Sequence, residues 1–543
     1  MGRLRFGITA LGVPTLACGN LVDPNAATGG SDSTAETGGT TTAHTGASAS
    51  GSTPTSADDD ADDGADEDPS ADTGFPSDVA GPGTCAFQRD IDTPSVCSLR
   101  AEASDFDVAV QWTWTGEAGA DDVLAPPLVA NLTDDNGDGA IDLCDVPDVV
   151  VTAFDADGLV QTSAQQIFIL DGATGEVHVR IETPVSSIYP ALGDLDGDGV
   201  PEVVGVTSGW EADPDVALRL VAFDHTGAIA WLGDPVQYPG GKAIELADLD
   251  ADGHVEIVIG NQVFDDGGGL QWQGGLYGSD LTTTADLDDD GDLELITGHA
   301  AYRADGSAFF PDPGFGINAY PQVIDRDLDG SPEIFFADYG SMNVVSATGE
   351  SLGPIVGSRG PIAAADLEGD GIPELLTAAY PTLVAYDGAL SPKWQTPISD
   401  VSGTPGATVF DFFGDGTAEV VYADPNFILI IGSDGTVLYE VPRVSGSESI
   451  GYPVVADIDS DGSAELIVTS VGPEAAVTVL RDARDRWVNA RRIWNQHAYH
   501  VTNVLEDGAI PAVQPQHWHT FNSFRAQARV DGDGACYGAP PPK

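Results

Sequence analysis

The sequence predicts an all-β protein, a β-propeller of eight blades with one acidic loop in each blade, or of seven blades if one unit is incomplete. The first observation is an acidic motif, D-x-[DN]-x-D-G-x-x-[DE] or close to it, that occurs eight times. The second is the spacing of its copies, because a period of about forty residues is the size of one four-stranded blade. The copies, numbered as loops 1 to 8, begin at Asp134, Asp194, Asp248, Asp286, Asp325, Asp366, Asp411 and Asp457.

Each repeat has the same internal order of predicted elements. A short apolar segment such as residues 189–192 precedes the loop, and an apolar run such as residues 257–259 follows it. A further strand ends near an Asp-Gly pair such as Asp266-Gly267, which is a strong signal for a hairpin turn. The last strand often carries an aromatic residue, for example Trp272. The unit is therefore strand, loop, strand, strand, turn and strand, which fits one blade.

The acidic loops have the composition of a metal site. Carboxylates at positions 1, 3, 5 and 9 can converge on one hard cation, and glycine at position 6 permits the sharp turn. Oxygen ligands at this density are typical of calcium. Six loops keep all four carboxylates, and we expect each of them to bind Ca2+. They are Asp194, Asp196, Asp198 and Glu202; Asp248, Asp250, Asp252 and Glu256; Asp286, Asp288, Asp290 and Glu294; Asp325, Asp327, Asp329 and Glu333; Asp366, Glu368, Asp370 and Glu374; and Asp457, Asp459, Asp461 and Glu465.

Loops 1 and 7 depart from the full pattern. Loop 1 supplies Asp134, Asn136, Asp138 and Asp142, and we expect it to bind Ca2+ because an asparagine oxygen can replace a carboxylate oxygen. Loop 7 has Phe413 at position 3, so we expect weak binding or none. Repeated sites that are saturated with protein ligands predict a structural role for the ions rather than a catalytic one.

The repeats resemble the FG-GAP or VCBS type, the calcium-loop propeller repeats of integrin alpha chains and of many bacterial surface proteins. The resemblance covers residues 125–482 and rests on the acidic loop and the strands around it. It implies that the loop joins two strands of a blade and binds calcium, and that the blades close into a ring. The stretch Trp-Asn-Gln-His-Ala-Tyr at residues 494–499 also resembles a segment that follows the repeats in other bacterial proteins of this kind. That second resemblance implies no activity.

The first 82 residues predict export and a spacer. Residues 1–18 resemble a signal peptide that ends in a bacterial lipobox, so we expect cleavage before Cys18 and a lipid on its thiol. The residue after Cys18 is Gly19, not the aspartate that is associated with retention in the inner membrane. We therefore expect the protein in the outer membrane. Residues 19–82 are rich in Ser, Thr, Gly and Asp and cannot bury a core, so we expect a disordered tether.

Residues 83–124 predict a disulfide-linked lead-in and a first strand. Besides Cys18, the four cysteines Cys85, Cys97, Cys144 and Cys536 allow three disulfide pairings. A bond between Cys85 and Cys97 is favoured because they are close in the chain, which leaves Cys144 with Cys536. Residues 108–114 alternate apolar and polar side chains. We expect this stretch to be a strand that adds to the sheet of the last blade.

The last segment, residues 483–543, differs from the repeats. It is rich in arginine, tryptophan and histidine, and it includes His497, His500, His517 and His519. We expect it to cover the seam where the ring closes, with the histidines packed against the propeller wall. A transition-metal or catalytic site at these histidines is the alternative.

Composition and motifs limit the function. The chain has 87 Asp and Glu against 20 Lys and Arg, a formal net charge of −67, which excludes a nucleic-acid binder that relies on phosphate neutralisation. The sequence shows no nucleophile elbow and no phosphate-binding glycine loop. It therefore predicts a calcium-stabilised, non-catalytic, monomeric lipoprotein of the cell surface that binds a protein or a glycan, with membrane attachment only through Cys18. The alternatives are a carbohydrate-active enzyme on a propeller scaffold and a purely structural envelope component.

Overall fold

Eight β-sheets arranged in a ring form the body of the protein, as described by a computed structural model. Seven of these sheets have four strands and one has five, which confirms the predicted eight-bladed propeller. The structure describes residues 79–80 and 105–531, apart from residues 156–164, 187–188, 209–216, 238–242, 276–280, 299, 312–318, 339, 357–359, 447–450 and 473. Within these residues the helical element is one 3-10 turn, His517–His519.

Each blade has four antiparallel strands, named first to fourth from the centre of the ring to its rim. Blade 1 has Leu128–Ala130, Asp148–Phe154, Gln166–Asp171 and Val177–Arg180, with Asp122–Val123 as an added strand beside the second. Blades 2 to 4 have Ala191–Gly193, Glu202–Val206, Arg219–Phe223 and Ile229–Pro235; Ile244–Ala247, Glu256–Ile259, Gln262–Phe264 and Leu270–Gln273; and Thr283–Ala285, Glu294–Ile296, Ala301–Tyr302 and Ala308–Phe310.

The remaining blades follow the same order. Blades 5 to 7 have Tyr320–Ile324, Glu333–Asp338, Ser341–Ser346 and Ser351–Val356; Ala363–Ala365, Glu374–Ala379, Thr382–Tyr386 and Pro392–Pro397; and Ala407–Phe410, Glu419–Ala423, Phe427–Ile431 and Val437–Pro442. Blade 8 has Val454–Ala456, Glu465–Thr469 and Val477–Asp482, and its fourth strand is Val108–Trp114. A separate pair joins Val79–Ala80 to Val530–Asp531 in parallel.

The strand Val108–Trp114 closes the ring. It pairs antiparallel with Val477–Asp482, so a strand from before the first repeat completes the last blade. This was the position expected from the sequence. Closure matters because a propeller opened between its first and last blades would expose unpaired strand edges on both sides of the gap.

The first strands surround the centre of the ring, where the C-terminal segment, residues 483–531, pairs with them. Leu128–Ala130 contacts Ala191–Gly193 of the next blade, and other successive first strands do the same. Trp494 exchanges backbone hydrogen bonds of 2.9 Å with Val129 in blade 1, and Phe524 exchanges bonds of 2.8 and 2.9 Å with Ala364 in blade 6. The segment thus satisfies backbone groups at the inner edges of the sheets and fills the centre.

Consecutive residues of the C-terminal segment bond to consecutive blades. After Trp494 at blade 1, the Asn495 carbonyl accepts a bond from the Leu192 amide in blade 2, and Gln496 Oε1 accepts one from the Leu246 amide in blade 3. The other blades are reached by Gln516 to Asp286 in blade 4, His517 to Val323 in blade 5, Arg525 and Gln527 to Val409 in blade 7, and Gln527 to Val455 in blade 8. The segment therefore contacts all eight blades and does more than cover the seam.

Tryptophans on the fourth strands join neighbouring blades. Trp272 of blade 3 donates its indole N–H to the Ala304 carbonyl in the turn of blade 4, at 2.8 Å, and its ring lies against Gly306. Gly306 has φ +80°, and a Cβ there would come within 2.8 Å of the ring, so glycine is required twice over. Trp394 of blade 6 makes the equivalent hydrogen bond to Ser433 of blade 7. The sequence shows the aromatic residue and the turn separately, and the structure brings them together across the blade interface.

Several expectations fall outside the described residues. These are the signal peptide and lipidated Cys18, most of the tether, and the cysteines Cys85, Cys97 and Cys536. The disulfide pairing therefore stays a prediction. Among the residues that the structure does describe, no helix has the length and apolar character to cross a membrane.

Replacing Trp112 by alanine should strongly destabilise the closed ring. Trp112 is 7% exposed, and its indole N–H bonds to the Gly172 carbonyl of blade 1 at 2.6 Å. Truncation of a buried tryptophan typically costs about 3 kcal/mol or more. Urea denaturation followed by intrinsic fluorescence should show a clearly lower midpoint. Val110→Ala in the same strand, at a side chain that is 55% exposed, is the matched control and should change little. Equal effects of the two substitutions would contradict this role of the strand.

Candidate metal centres

The acidic loops join the first and second strands of each blade. In blade 2 the first strand ends at Gly193, which pairs with Glu202 at the start of the second strand. Positions 1 and 9 of the loop, Asp194 and Glu202, therefore lie at the same end of the ladder. The same ladder pair occurs in blades 3 to 8: Ala247 with Glu256, Ala285 with Glu294, Ile324 with Glu333, Ala365 with Glu374, Phe410 with Glu419, and Ala456 with Glu465.

The aspartate at position 1 shapes the loop through bonds to its backbone. Asp194 Oδ1 accepts a hydrogen bond from the Gly197 amide at 2.8 Å, and its Oδ2 accepts one from Gly199 at 3.0 Å. Position 4 takes a left-handed conformation even where it is not glycine, with φ +55° at Ala251 and +58° at Leu328. Such angles are uncommon for residues with a Cβ. The hydrogen bonds of the aspartate hold the turn that directs the other carboxylates to one point.

The carboxylate oxygens of four loops lie at distances that suit one cation. In loops 2 to 5, three ligand oxygens lie within 4.8 Å of one another. Calcium binds oxygen at about 2.3–2.6 Å, so ligands on opposite sides of an ion are about 5 Å apart. These clusters could therefore hold a metal ion. They are Asp194, Asp196 and Glu202; Asp248, Asp250 and Glu256; Asp286, Asp288 and Asp290; and Asp325, Asp327 and Glu333.

The glutamate at position 9 accepts a backbone hydrogen bond through its Oε2 oxygen in loops 2 to 8. Glu202 Oε2 accepts a hydrogen bond from the Leu195 amide at 2.9 Å, and loops 3 to 8 repeat this bond at 2.8–3.3 Å. Burial, together with the nearby carboxylates of Asp196 and Asp198, raises the pKa of Glu202 to about 7. Burial likewise raises the pKa values of Glu256, Glu294 and Glu333 to about 7. A cation beside Oε1 of these glutamates would stabilise their ionised form.

Loop 8 shows the need for a cation most directly. Asp457 and Glu465 are 3% and 0% exposed. Asp457 Oδ1 and Glu465 Oε1 have no hydrogen-bond partner within the part of the chain that the structure describes. Burial, together with the charges of Asp459 and Asp461, raises both pKa values well above their usual range. Buried carboxylate oxygens without donors are costly unless a cation compensates them, so the residues of loop 8 fit the predicted Ca2+.

Loop 1 lies in a longer connection than the other loops. In blade 1 the residue that pairs with the end of the first strand, Ala130, is Asp148 rather than Asp142. The motif itself keeps the local turn, since Asp134 accepts bonds from the amides of Gly137 and Gly139. Its predicted ligands therefore lie away from the ladder end, and Asp148 takes the structural place of the position 9 glutamate.

Loop 7 keeps three carboxylates, and its phenylalanine makes contacts elsewhere. The Phe413 ring lies 4.6 Å from the ring of Phe106, centroid to centroid. Burial, together with the charges of Asp411 and Asp415, raises the pKa of Glu419 to about 8. Weak or absent calcium binding at this loop stays a prediction. Loop 6 differs in another way, because Lys393 contacts two of its four predicted ligands.

Three of the four histidines of the C-terminal segment pack inside the ring, and the fourth, His519, is exposed, so the expected packing is wrong for His519. His497, His500 and His517 are buried. His517 Nε2 lies 2.7 Å from the Val323 carbonyl, and Arg525 donates to His497 Nδ1 at 3.1 Å. Burial lowers the pKa of His517 to about 4 and lowers that of His500 well below its usual range. Both imidazoles are therefore neutral near pH 7, which agrees with the expected packing against the propeller wall.

The superposition on one solved structure supports the propeller fold, and two other solved structures match more weakly. The V. cholerae biofilm matrix protein Bap1 superposes with a TM-score of 0.68 at 19% identity, over 79% of this chain and 100% of that one. The exotype rhamnogalacturonan lyase YesX gives a TM-score of 0.49 at 16% identity, over 67% of this chain and 72% of that one. Rhamnogalacturonan lyase PL11 of Bacillus licheniformis gives 0.46 at 16% identity, over 76% and 81%. No family model and no curated protein matches the chain, so the resemblance to FG-GAP or VCBS repeats stays a prediction.

Replacing Glu465 by glutamine should change stability with opposite signs in the two metal states. Without metal, the fold must either desolvate the Glu465 carboxylate or protonate it, and glutamine avoids both costs, so the change should stabilise the fold by roughly 2 kcal/mol. With saturating Ca2+, it removes a ligand and should destabilise the fold. Thermal unfolding of metal-free and calcium-loaded protein measures both. Glu440→Gln, at an exposed residue of the blade 7 rim, is the control. A shift of the same sign in both states would rule out a cation at loop 8.

Proposed function

We propose that the chain is a non-catalytic propeller, stabilised by calcium, that binds a glycan or a protein outside the cell. The observation that carries this proposal is the filled centre of the ring. A propeller surrounds a central channel, and concave sites of this kind are the usual places for small substrates. Here residues of the C-terminal segment such as Trp494 and Phe524 bond to the inner strands. Binding is thereby left to the outer faces and the rim.

Calcium gives this scaffold its rigidity. The ions would be held by loops 2, 3, 4, 5 and 8, whose carboxylates converge between the first two strands of a blade. Each ion links the ends of two strands and offsets the repulsion between buried carboxylates. An ion that binds only the folded form stabilises it in proportion to the logarithm of its concentration over its dissociation constant. A stiff disc of this kind is suited to presenting binding surfaces.

An open groove between blades 3 and 4 is the candidate ligand surface. It has a volume of about 460 Å³. The half-buried ring of Trp272 lies beside the amide of Gln271 and the carboxylate of Asp292. An aromatic face next to acceptors and donors offers the contacts that a sugar ring or a peptide can use. The groove is lined by Asp250, Gln271, Trp272, Asp292, Ala304 and Asp305.

The proposed location is the cell surface, with the protein held through a lipid on Cys18 and acting as a monomer. The lipobox-like residues and the polar stretch at 19–82 support this placement. The fold that the chain shares with a protein of a biofilm matrix is compatible with it. Intact-mass measurement of the mature protein should find acyl chains on Cys18, and an unmodified N-terminus at another residue would contradict the anchor.

A calcium-dependent binding assay with a parallel turnover assay tests the function. Purified protein is applied to immobilised matrix polysaccharides and matrix proteins, with calcium or with chelator. We expect retention on one of them in calcium, no shortening of the polysaccharide, and weaker retention of the Gln271→Ala and Asp292→Ala variants. Release of unsaturated uronic acid products would instead show that the protein is a polysaccharide lyase. Retention that both variants leave unchanged would place the binding surface outside the groove.

A further inference from the structure

Every blade carries one extra residue at the same point of its fourth strand. In blade 3, Val263 pairs with Trp272 and Phe264 pairs with Leu270, so Gln271 is bulged out of the ladder. A bulge of this kind redirects a side chain. The extra residues of blades 1 to 8 are, in order, His178, Ala230, Gln271, Phe309, Leu352, Lys393, Leu438 and Gln111. The position is therefore shared by all blades, and its chemistry differs from blade to blade.

The polar side chains at this position reach the acidic connection of their own blade. Gln111 Nε2 donates to Asp459 of loop 8 at 2.9 Å. Gln271 Nε2 lies 3.4 Å from Glu256 Oε1 in loop 3. In blade 1, His178 Nδ1 lies 3.0 Å from Asp148, the residue in the place of the position 9 glutamate. The extra residue thus stands beside the predicted metal ligands.

In blade 6 the extra residue is a lysine, and its ammonium group contacts two ligands of the loop. Lys393 Nζ lies 2.7 Å from Glu374 Oε1 and also bonds to Glu368 Oε2. Glu374 Oε2 accepts the bond from the Leu367 amide at 3.0 Å. Both oxygens of the position 9 glutamate therefore have donors. Glu465 of loop 8 differs, because its Oε1 has no partner in the described part of the chain.

An ammonium group and a calcium ion need the same oxygens here. Calcium requires close contact with the oxygens of positions 3 and 9, at about 2.3–2.6 Å, and in loop 6 these belong to Glu368 and Glu374. The positive charge of Lys393 already compensates part of the charge of the loop. A calcium ion would have to displace this side chain, which is 26% exposed, and the displaced ammonium group would lose both of its carboxylate partners to the ion.

Two arginines near other loops do not contact Oε1 of the position 9 glutamate as Lys393 does. Arg326 lies 3.0 Å from Asp327 and bonds to the Gly388 carbonyl at 2.7 Å. It approaches Glu333 at Oε2, the oxygen that already accepts a backbone bond. Arg303 is 3.7 Å from Asp288 of loop 4 and its side chain is 43% exposed. Both arginines therefore leave Oε1 of the position 9 glutamate to another ligand.

We propose that the Lys393 ammonium group is the resident cation of blade 6, so that the loop Asp366, Glu368, Asp370 and Glu374 takes no calcium in this protein. The sequence predicted calcium at this loop as at the other five full loops, because the lysine is far from the motif in the chain. This inference rests on the proposed calcium binding at loops 2, 3, 4, 5 and 8.

The test is a count of bound calcium in wild type and in variants at the bulge position. Full-length protein is purified in calcium, equilibrated by dialysis, and analysed for calcium per chain. We expect Lys393→Gln, which introduces the residue found at this position in blade 3, to bind one more ion than wild type. Lys393→Arg, which keeps the charge, and Leu438→Gln, at the same position in blade 7, are the matched controls and should leave the count unchanged. Lys393→Met repeats the test if the amide variant is poorly folded.

Thermal unfolding provides a second readout. Without calcium, Lys393→Gln should melt at a lower temperature than wild type, and calcium should restore more of its stability than it adds to wild type. An unchanged calcium count in both Lys393→Gln and Lys393→Met would overturn the inference. If wild type binds no calcium at all, the proposed function fails instead. Even then, the role of Lys393 would be decided by whether the Lys393→Gln and Lys393→Met variants bind one more calcium ion per chain than wild type.

Discussion

The fold depends on compensating the carboxylates at the junction of the first and second strands in each blade. A glutamate in blades 2 to 8, and Asp148 in blade 1, begins the second strand where the ladder ends, so its carboxylate is buried with the strand that carries it. Carboxylates within 4.8 Å of one another repel by roughly 3 kcal/mol per pair at an effective dielectric constant of about 20. That is large against a net folding stability on the order of 10 kcal/mol. A cation in the loop would remove the repulsion and link the two strands, so that cation binding and blade formation would be coupled.

Ring closure is the second constraint, and both chain ends contribute to it. Each blade contacts mainly its two neighbours, as in other repeat architectures, so the stability of the array depends on its interfaces. Val108–Trp114 supplies the missing strand of blade 8. The C-terminal segment bonds to the inner edges of the sheets and contacts blades that are opposite one another. A repeat array that would otherwise be held only by neighbour contacts thereby acquires a shared centre.

The sequence predicts the features that recur in every blade, because a motif that occurs eight times at a regular spacing can be recognised without the structure. The spacing of the loops indicates eight blades, and the alternation in Val108–Trp114 indicates the closing strand. The sequence does not show the contacts between side chains that lie far apart in the chain. Trp272 meets Gly306 only because the blades adjoin, and Asp148 takes the place of a position 9 glutamate only because the connection in blade 1 is longer. Lys393 reaches Glu374 because a bulge turns it toward the loop, and a bulge leaves no period in the sequence.

The measurement that tests the central claim most directly is thermal unfolding of metal-free protein at increasing concentrations of calcium. If cations compensate the buried carboxylates, the melting temperature rises with calcium until the loops are saturated. Magnesium, which demands a smaller octahedral site and gives up its water reluctantly, raises it much less. A melting temperature that is the same in excess chelator and in saturating calcium would contradict the account.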